Sequence, residues 1–349
     1  MVKVSTLRRV SQVFFFIILV YTSYIIVAQV DTALFPFVVP DESVQRPEWY
    51  APPTKYVEVL DTYGPVKTCR FIGGESRLFR ACFLHFFTEG IIWLTPLTMM
   101  LPHILFYLIL AFALGRAFCG WMCPLGFLSE VMSMARKYLG ISHWEIPERV
   151  LSFMAKFRYA FLSIIVLMAI AIALPLGLAS LQGELSIIGC ETCPARIIFP
   201  LFSGNPPGYY SFSTPVYTLF ALVGIAFLTL FLLSFAFKRP FCRVCPSGTM
   251  LSLFNVGSLL SKEKDARKCT KCGICARVCP MDNKNVYRER KHKKIDSANC
   301  VRCLSCIEHC PEKGCLKLKF MGREIMVSGK KFSFLSGKTE KSKKKGTTI

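Results

Sequence analysis

Four stretches of this chain contain no Asp, Glu, Lys or Arg: Val10–Val30, Ile91–Leu114, Tyr159–Leu181 and Pro215–Phe237. Each is 21 to 24 residues long. A helix rises about 1.5 Å per residue, so about 20 apolar residues cross a hydrocarbon layer about 30 Å thick. The pattern predicts four membrane-spanning helices near 10–30, 91–114, 159–181 and 215–237. A soluble core could not hide so many long uncharged runs from water. Lys3, Arg8 and Arg9 precede the first run in the manner of a signal peptide. Its apolar part is long, however, and no small-residue cleavage site follows Ala28, so it is expected to remain as an anchor.

The polar segments between the runs alternate in charge. The N-terminus carries +3, segment 31–90 carries −2, segment 115–158 carries +3, segment 182–214 carries −1, and the part from Lys238 onward carries +18. Basic loops stay on the cytoplasmic side. The expected topology is therefore a multi-pass protein of the cell membrane with both termini cytoplasmic. Segments 31–90 and 182–214 then lie outside. Over 349 residues the net charge is +21, which alone would suggest a nucleic-acid partner. With 53% hydrophobic and only 19% charged residues, that class is excluded and the charge is assigned to topology.

The 17 cysteines change the picture most, and their odd number excludes a fully paired disulfide framework. Cys269, Cys272, Cys275 and Cys279, followed by Pro280, form a C-x2-C-x2-C-x3-C-P run. Cys300, Cys303, Cys306 and Cys310, followed by Pro311, repeat it. This is the bacterial two-cluster ferredoxin pattern, in which the fourth cysteine of each run ligates the other cluster. One [4Fe-4S] cluster is expected on Cys269, Cys272, Cys275 and Cys310, and the other on Cys300, Cys303, Cys306 and Cys279. Zinc would not need a doubled run of this spacing. Cys315 follows without a motif and reads as a spectator thiol. The Lys- and Arg-rich insert Met281–Asn299 reads as a solvated hairpin or as a docking face for an acidic redox partner or for anionic lipid headgroups.

Eight cysteines remain. Cys119 and Cys123, then Cys242 and Cys245, follow the second and fourth apolar runs, and each pair ends in Cys-Pro. Proline suits the first position of a helix, so Cys123 and Cys245 are expected at helix N-termini, where the dipole favours a thiolate. This inner quartet is expected to bind a third [4Fe-4S] cluster, with a redox dithiol as the alternative. Cys69, Cys82, Cys190 and Cys193 fall on the segments expected outside, and either disulfides or a further cluster is open there. His103 is the only histidine within a run, so a bis-histidine haem is not expected in the membrane. It could instead belong to a quinone pocket, with Glu89 and Glu184 as proton acceptors at the outer edge. No phosphate loop, dinucleotide fingerprint or nucleophile triad occurs.

The segments Gly115-Arg-Ala-Phe-Cys-Gly-Trp-Met-Cys-Pro-Leu-Gly126 and Arg239-Pro-Phe-Cys-Arg-Val-Cys-Pro-Ser-Gly248, with the two downstream runs, resemble the NapH/MauN-type membrane polyferredoxins. The resemblance extends from about Cys69 to Cys315. It implies four or more spans, two cytoplasmic [4Fe-4S] clusters and C-x3-C-P motifs in electron transfer, as in quinol-oxidising membrane subunits. Cys119 and Cys123 keep that spacing, whereas Cys242 and Cys245 are one residue closer.

The expected fold is mainly α. A four-span bundle over 1–258 is followed by a small α+β two-cluster ferredoxin domain over 259–320 and a basic disordered tail over 321–349. The expected function is electron relay between a quinone-type membrane carrier and a redox partner protein. The chain would then act as an electron-transfer subunit of an oxidoreductase system. The alternative is a redox-sensing or metal- or thiol-reducing maturation factor for another enzyme.

Overall fold

A computed structural model describes residues 3–25, 82–92, 97–174, 188–203, 210, 212–291 and 293–329. Cys69, most of the first long segment between spans and the tail beyond 329 lie outside the described residues.

Three helices among these are long and apolar enough to cross a membrane. They are α1 (Val4–Ile25), α6 (Glu148–Ala173) and α9 (Pro215–Leu232), the last extended by a 3-10 turn over Leu233–Phe235. They correspond to the first, third and fourth expected spans, and α6 begins earlier than its uncharged run. Of the second expected span, α3 (Leu97–Leu114) is described, preceded by α2 (Phe83–Ile92), and residues 93–96 between them lie outside the described residues. Val10, Val13, Phe14 and Ile17 of α1 and Ile164 and Leu167 of α6 are exposed. Apolar surface of this extent suits lipid.

The α9 start shows how its boundary is set. Pro215 takes the first helical position, and the Thr214 hydroxyl accepts from the Tyr217 amide at 3.3 Å. Helices α6 and α9 meet through rings. Phe157 stacks on Phe161, Phe161 meets Phe227 edge-on at 5.2 Å, and Phe227 meets Phe241 at 5.8 Å. Phe241 immediately precedes Cys242, so the aromatic core reaches the first cysteine of the second membrane pair.

Shorter helices pack among the long ones. They are α4 (Ala117–Trp121), α5 (Pro124–Tyr138), α7 (Ile188–Glu191), α8 (Ala195–Ser203), α10 (Phe241–Val244) and α11 (Pro246–Leu253). One design recurs three times: a short helix, then Cys-Pro, then a second helix. It joins α4 to α5 at Cys123, α10 to α11 at Cys245, and α7 to α8 at Cys193.

The C-terminal domain is built on a three-stranded antiparallel sheet in the order β1 (Leu260–Lys264), β2 (Leu316–Phe320), β3 (Arg323–Val327). The third strand carries the domain past its expected end at 320, since its pairing with β2 orders residues assigned to the tail. Helices α12 (Ile274–Arg277), α13 (Asn285–Arg288) and α14 (Ser305–Glu308) connect the strands. Lys271 and Gly273 in the first cysteine run, and Arg302 and Leu304 in the second, all have positive φ. The two runs therefore share one backbone path, although three of these four residues are not glycine and bear the cost of a left-handed conformation.

One carboxylate ties the bundle together. Glu130 of α5 accepts from Arg8 of α1 and, at 2.6 Å, from Arg239 in the turn after α9. Gln12 of α1 bridges the Gly120 carbonyl at 2.9 Å and Glu130 at 3.3 Å. Burial pushes the Glu130 carboxyl up, but Arg239 and Arg8 together hold it below the usual range. Removing one partner of a buried pair costs about 3–5 kcal/mol, because the other charge is left without compensation. Glu130→Gln is expected to lower the thermal unfolding midpoint clearly in detergent. An unchanged midpoint would show that this triad does not fasten α1, α5 and the Arg239 turn.

Candidate metal centres

The first ferredoxin quartet lines one cavity. Cys269, Cys272 and Cys275 reach it from the first run and Cys310 from the second, with Lys264 of β1 beside them. The Lys264 ammonium donates to the carbonyls of Val286 at 2.8 Å and Tyr287 at 3.0 Å. Burial pushes the Cys275 thiol up, and Lys264 is the main influence pulling it back. Cys315, read from sequence as a spectator, lines the same cavity. Burial, then Cys310 and Cys269, raise its thiol to about 12, so it stays protonated, 3.7 Å from the Asp265 carbonyl.

The second quartet converges in the same crossed manner. Around Cys306, burial pushes the thiol up and Lys262 opposes it, while Cys303, Cys300 and Cys279 push it further up. Lys262 is 1% exposed. Burial would lower its pKa, but Cys300, Cys306 and Asp296 raise it overall, so it stays a cation. Backbone amides also point at sulfur: Asn283 donates to Cys279 at 3.3 Å and Arg302 to Cys300 at 3.4 Å. Lys262 and Lys264 lie two apart on β1 and so project to one face of the strand. Neither stands out in the sequence, because lysines on a short strand ordinarily read as solvent-facing. Only the alternation Lys262-Glu263-Lys264 offered a signal.

The inner quartet also comes together. Cys123 caps α5 with Pro124 at the first helical position, and Cys245 caps α11 with Pro246 in the same place. The Gly248 amide donates to Cys245 Sγ at 3.3 Å. Burial and the neighbouring Cys119, Cys242 and Cys245 all push the Cys123 thiol up, which places the four side chains within one electrostatic neighbourhood. Among the described residues, no three His, Cys, Asp or Glu side chains converge tightly enough to hold a single ion. A cubane takes one thiolate per iron corner and so needs a wider set. Four soft sulfur donors, charge-balanced by lysine or arginine, fit an iron-sulfur cluster at each of the three quartets.

The inner quartet and the ferredoxin domain share a packed seam. Cys119 and Cys242 pack with Met281, Val301, Cys303 and Cys279 in one apolar cluster. Arg239 lies where Cys242, Cys303 and Cys123 all act on it. Around this cluster, buried arginines donate across the seam. Arg116 reaches the Ala298 carbonyl at 3.1 Å and the Cys242 carbonyl. Arg302 reaches the carbonyls of Leu114 at 2.8 Å and Asn255 at 2.5 Å, and Arg243 reaches Met281 at 2.5 Å. Trp121 donates to the Arg302 carbonyl at 3.0 Å.

The expected division of the membrane cysteines between two faces needs correction. The Ser247 hydroxyl, two residues beyond Cys245, donates to Cys82 Sγ at 3.4 Å. Cys193 packs against the apolar cluster that contains Cys245 and touches Cys123. Cys82 and Cys193 thus sit beside the inner motifs and not a membrane thickness away. The cause is that α2 packs on α6 and α11, while α8 packs on α1, bringing both chain segments into the bundle. Gly189, next to Cys190, lies against Leu84 of α2. The side chains of Glu89, His103 and Glu184 lie outside the described residues.

Comparison with known proteins agrees with this grouping. A 4Fe-4S binding domain model matches residues 92–142 and again 219–264, each match containing one inner cysteine pair. A 4Fe-4S dicluster domain model matches residues 261–311. Two uncharacterized proteins of Methanocaldococcus jannaschii are 33% and 28% identical, each over 60% of this chain. The ferredoxin-type protein NapH of Haemophilus influenzae is 27% identical over 60% of this chain. The chain is thus similar to the NapH-type membrane polyferredoxins. It spans 66% and 75% of the two archaeal relatives and 63% of the Haemophilus protein. No solved structure matches this chain.

Gly120 controls how closely the first membrane motif approaches the ferredoxin domain. A methyl group there would run into the Val301 carbonyl oxygen, a backbone atom that cannot turn aside. Gly120→Ala is expected to push α4 off the Val301–Cys303 loop. Proteolysis within 259–329 and alkylation of Cys119 should then become faster. A digestion pattern identical to that of the unaltered protein would show that the seam has slack.

Proposed function

We propose that this protein relays single electrons between a quinone-type carrier in the membrane and a redox partner protein, using three [4Fe-4S] clusters. A [4Fe-4S] cluster supplies reversible one-electron storage. The thiolates of Cys269, Cys272, Cys275 and Cys310 would hold the first. Cys300, Cys303, Cys306 and Cys279 would hold the second, and Cys119, Cys123, Cys242 and Cys245 the third. Packing of Cys119 and Cys242 against Cys279 and Cys303 carries this reading, since it leaves no water layer between the membrane motifs and the second quartet.

The other residues have definable work. Lys264, Lys262 and Arg239 offset negative charge at sulfur, one beside the first quartet, one beside the second and one between the second and the third. Met281 and Val301, both 1% exposed, exclude water from the seam. Apolar helices with exposed leucine, isoleucine and phenylalanine give a lipid-soluble carrier access from the bilayer. Cys82, Cys190 and Cys193 extend the sulfur-rich region from the inner motifs toward α2 and α8. With Cys69 they form the set for a further cluster or for disulfides. The cytoplasmic placement of the ferredoxin domain rests on the charge of the loops.

Anaerobic iron analysis with EPR tests the number of clusters. Wild type is expected to carry about twelve iron atoms per chain, four for each of three clusters. Cys119→Ala or Cys242→Ala should each retain about eight, with the two ferredoxin signals intact. About eight atoms in wild type would remove the third cluster. Bleaching by a quinol analogue tests the carrier separately, and clusters that stay oxidised under excess quinol would remove the quinone.

A further inference from the structure

A cleft of about 420 Å³ opens where the bundle meets the ferredoxin domain, between the first turns of α1, the middle of α5, the Arg239 turn and residues 276–284. Eight lysines and arginines and only three carboxylates line it. The carboxylates are already engaged. Glu130 holds Arg8 and Arg239, Glu145 holds Lys284 at 2.8 Å, and Asp282 stands 4.0 Å from Lys238. Arg9, Arg136, Lys137 and Arg277 have no carboxylate partner among the described residues.

Two of the cations are buried with donors left over. Arg8 is 4% exposed, and its Nε and Nη1 have no acceptor. Arg136 is 2% exposed; one nitrogen donates to the Ala236 carbonyl at 2.9 Å and lies 3.1 Å from His143 Nδ1, but its Nε has no acceptor. His143 Nε2 is in the same position. Arg239 also has free donors, but it faces Cys242, Cys303 and Cys123, so it is set aside. These particular donor atoms are closed off from the cleft, but they show how tightly its walls pack cations together. Eight cations facing three engaged carboxylates leave the cleft strongly positive, which calls for an anion. Guanidinium forks match phosphate oxygens, and the volume admits a whole headgroup.

Position selects the source. Immediately after Arg8 and Arg9, α1 exposes Val10, Val13, Phe14 and Ile17, the surface suited to lipid. The cleft therefore opens at the level of phospholipid headgroups. We propose that it binds the phosphate of an anionic phospholipid. The headgroup would bridge Arg8 and Arg9 of the bundle to Arg277 and Lys284 of the ferredoxin domain, clamping one against the other. This site does not depend on the relay proposed above.

Native mass spectrometry of the full-length, cluster-loaded protein, delipidated and then titrated, tests the proposal. Phosphatidylglycerol, phosphatidylcholine and inorganic phosphate are the three probes. The expected result is retention of phosphatidylglycerol at least about tenfold above phosphatidylcholine, with inorganic phosphate binding more weakly than phosphatidylglycerol. Arg136→Gln would disturb the contact with Ala236 and could unfold the site. The double variant Arg9→Gln/Lys137→Gln keeps that contact and should bind phosphatidylglycerol about tenfold more weakly at unchanged iron content. Arg290→Gln/Lys291→Gln removes the same charge outside the cleft and should leave binding unchanged. Equal loss in both double variants, or loss in neither, overturns the cleft as the site. Saturation by inorganic phosphate without selective lipid retention overturns the phospholipid as its ligand.

Discussion

Guanidinium groups taken out of water must find acceptors and counter-charge, and the seam of this protein contains a group of them. Arg116, Arg239, Arg243 and Arg302 are all nearly inaccessible. Moving such ions into a low dielectric is expensive unless both requirements are met. Backbone carbonyls of the facing domain supply the acceptors, at Ala298, Met281, Leu114 and Asn255. Counter-charge is scarcer: Glu130 serves Arg239, and Asp296 lies 3.5 Å from Arg302. Asp282 acts on Arg243, and cysteines lie among these same arginines. Thiolates ligating the proposed clusters would add negative charge there, which would couple metal loading to docking.

The seam also explains why the membrane motifs have their form. A short helix ending in Cys-Pro lets the chain turn while the proline starts the next helix without wasting an amide donor. In α11 the capping cysteine itself accepts the free Gly248 amide. The motif on α7 and α8 repeats the turn, with Cys193 accepting at its carbonyl from Arg196 at 3.1 Å. Small residues make room where the pieces close. Gly120 admits the Val301 carbonyl and Gly248 admits the Arg116 side chain. Gly115, at φ +54, turns the chain beside Arg302 and Asn255. These glycines lie within or next to the cysteine motifs, so a single short segment both presents sulfur and permits the approach.

Much of the candidate site was legible in the sequence. Spacing of two or three residues confines neighbouring cysteines to one loop, so grouping within each run needs no tertiary information. The crossed assignment of Cys279 and Cys310 follows from the doubled run, and Pro124 and Pro246 mark helix starts that the structure contains. Other features depend on residues far apart in the chain. Lys262 and Lys264 look like surface lysines until β1 is laid against the cysteine runs. Cys82 and Cys193 look remote from the inner motifs until α2 and α8 fold back among the longer helices.

By itself, then, the sequence determined the apolar segments, the ferredoxin loops and the partners within each cysteine run, since these rest on periodicity and local spacing. It also determined the sign of the charge on each polar segment, which composition alone fixes. Only the tertiary structure decided that Cys119 and Cys242 meet Cys279 and Cys303, and that β3 completes the sheet. The same holds for the basic cleft at the membrane edge. Some of those contacts, such as Cys119 with Cys303, join residues more than a hundred positions apart, and all of them are chosen by packing shape and by satisfying buried charge, neither of which a linear pattern encodes.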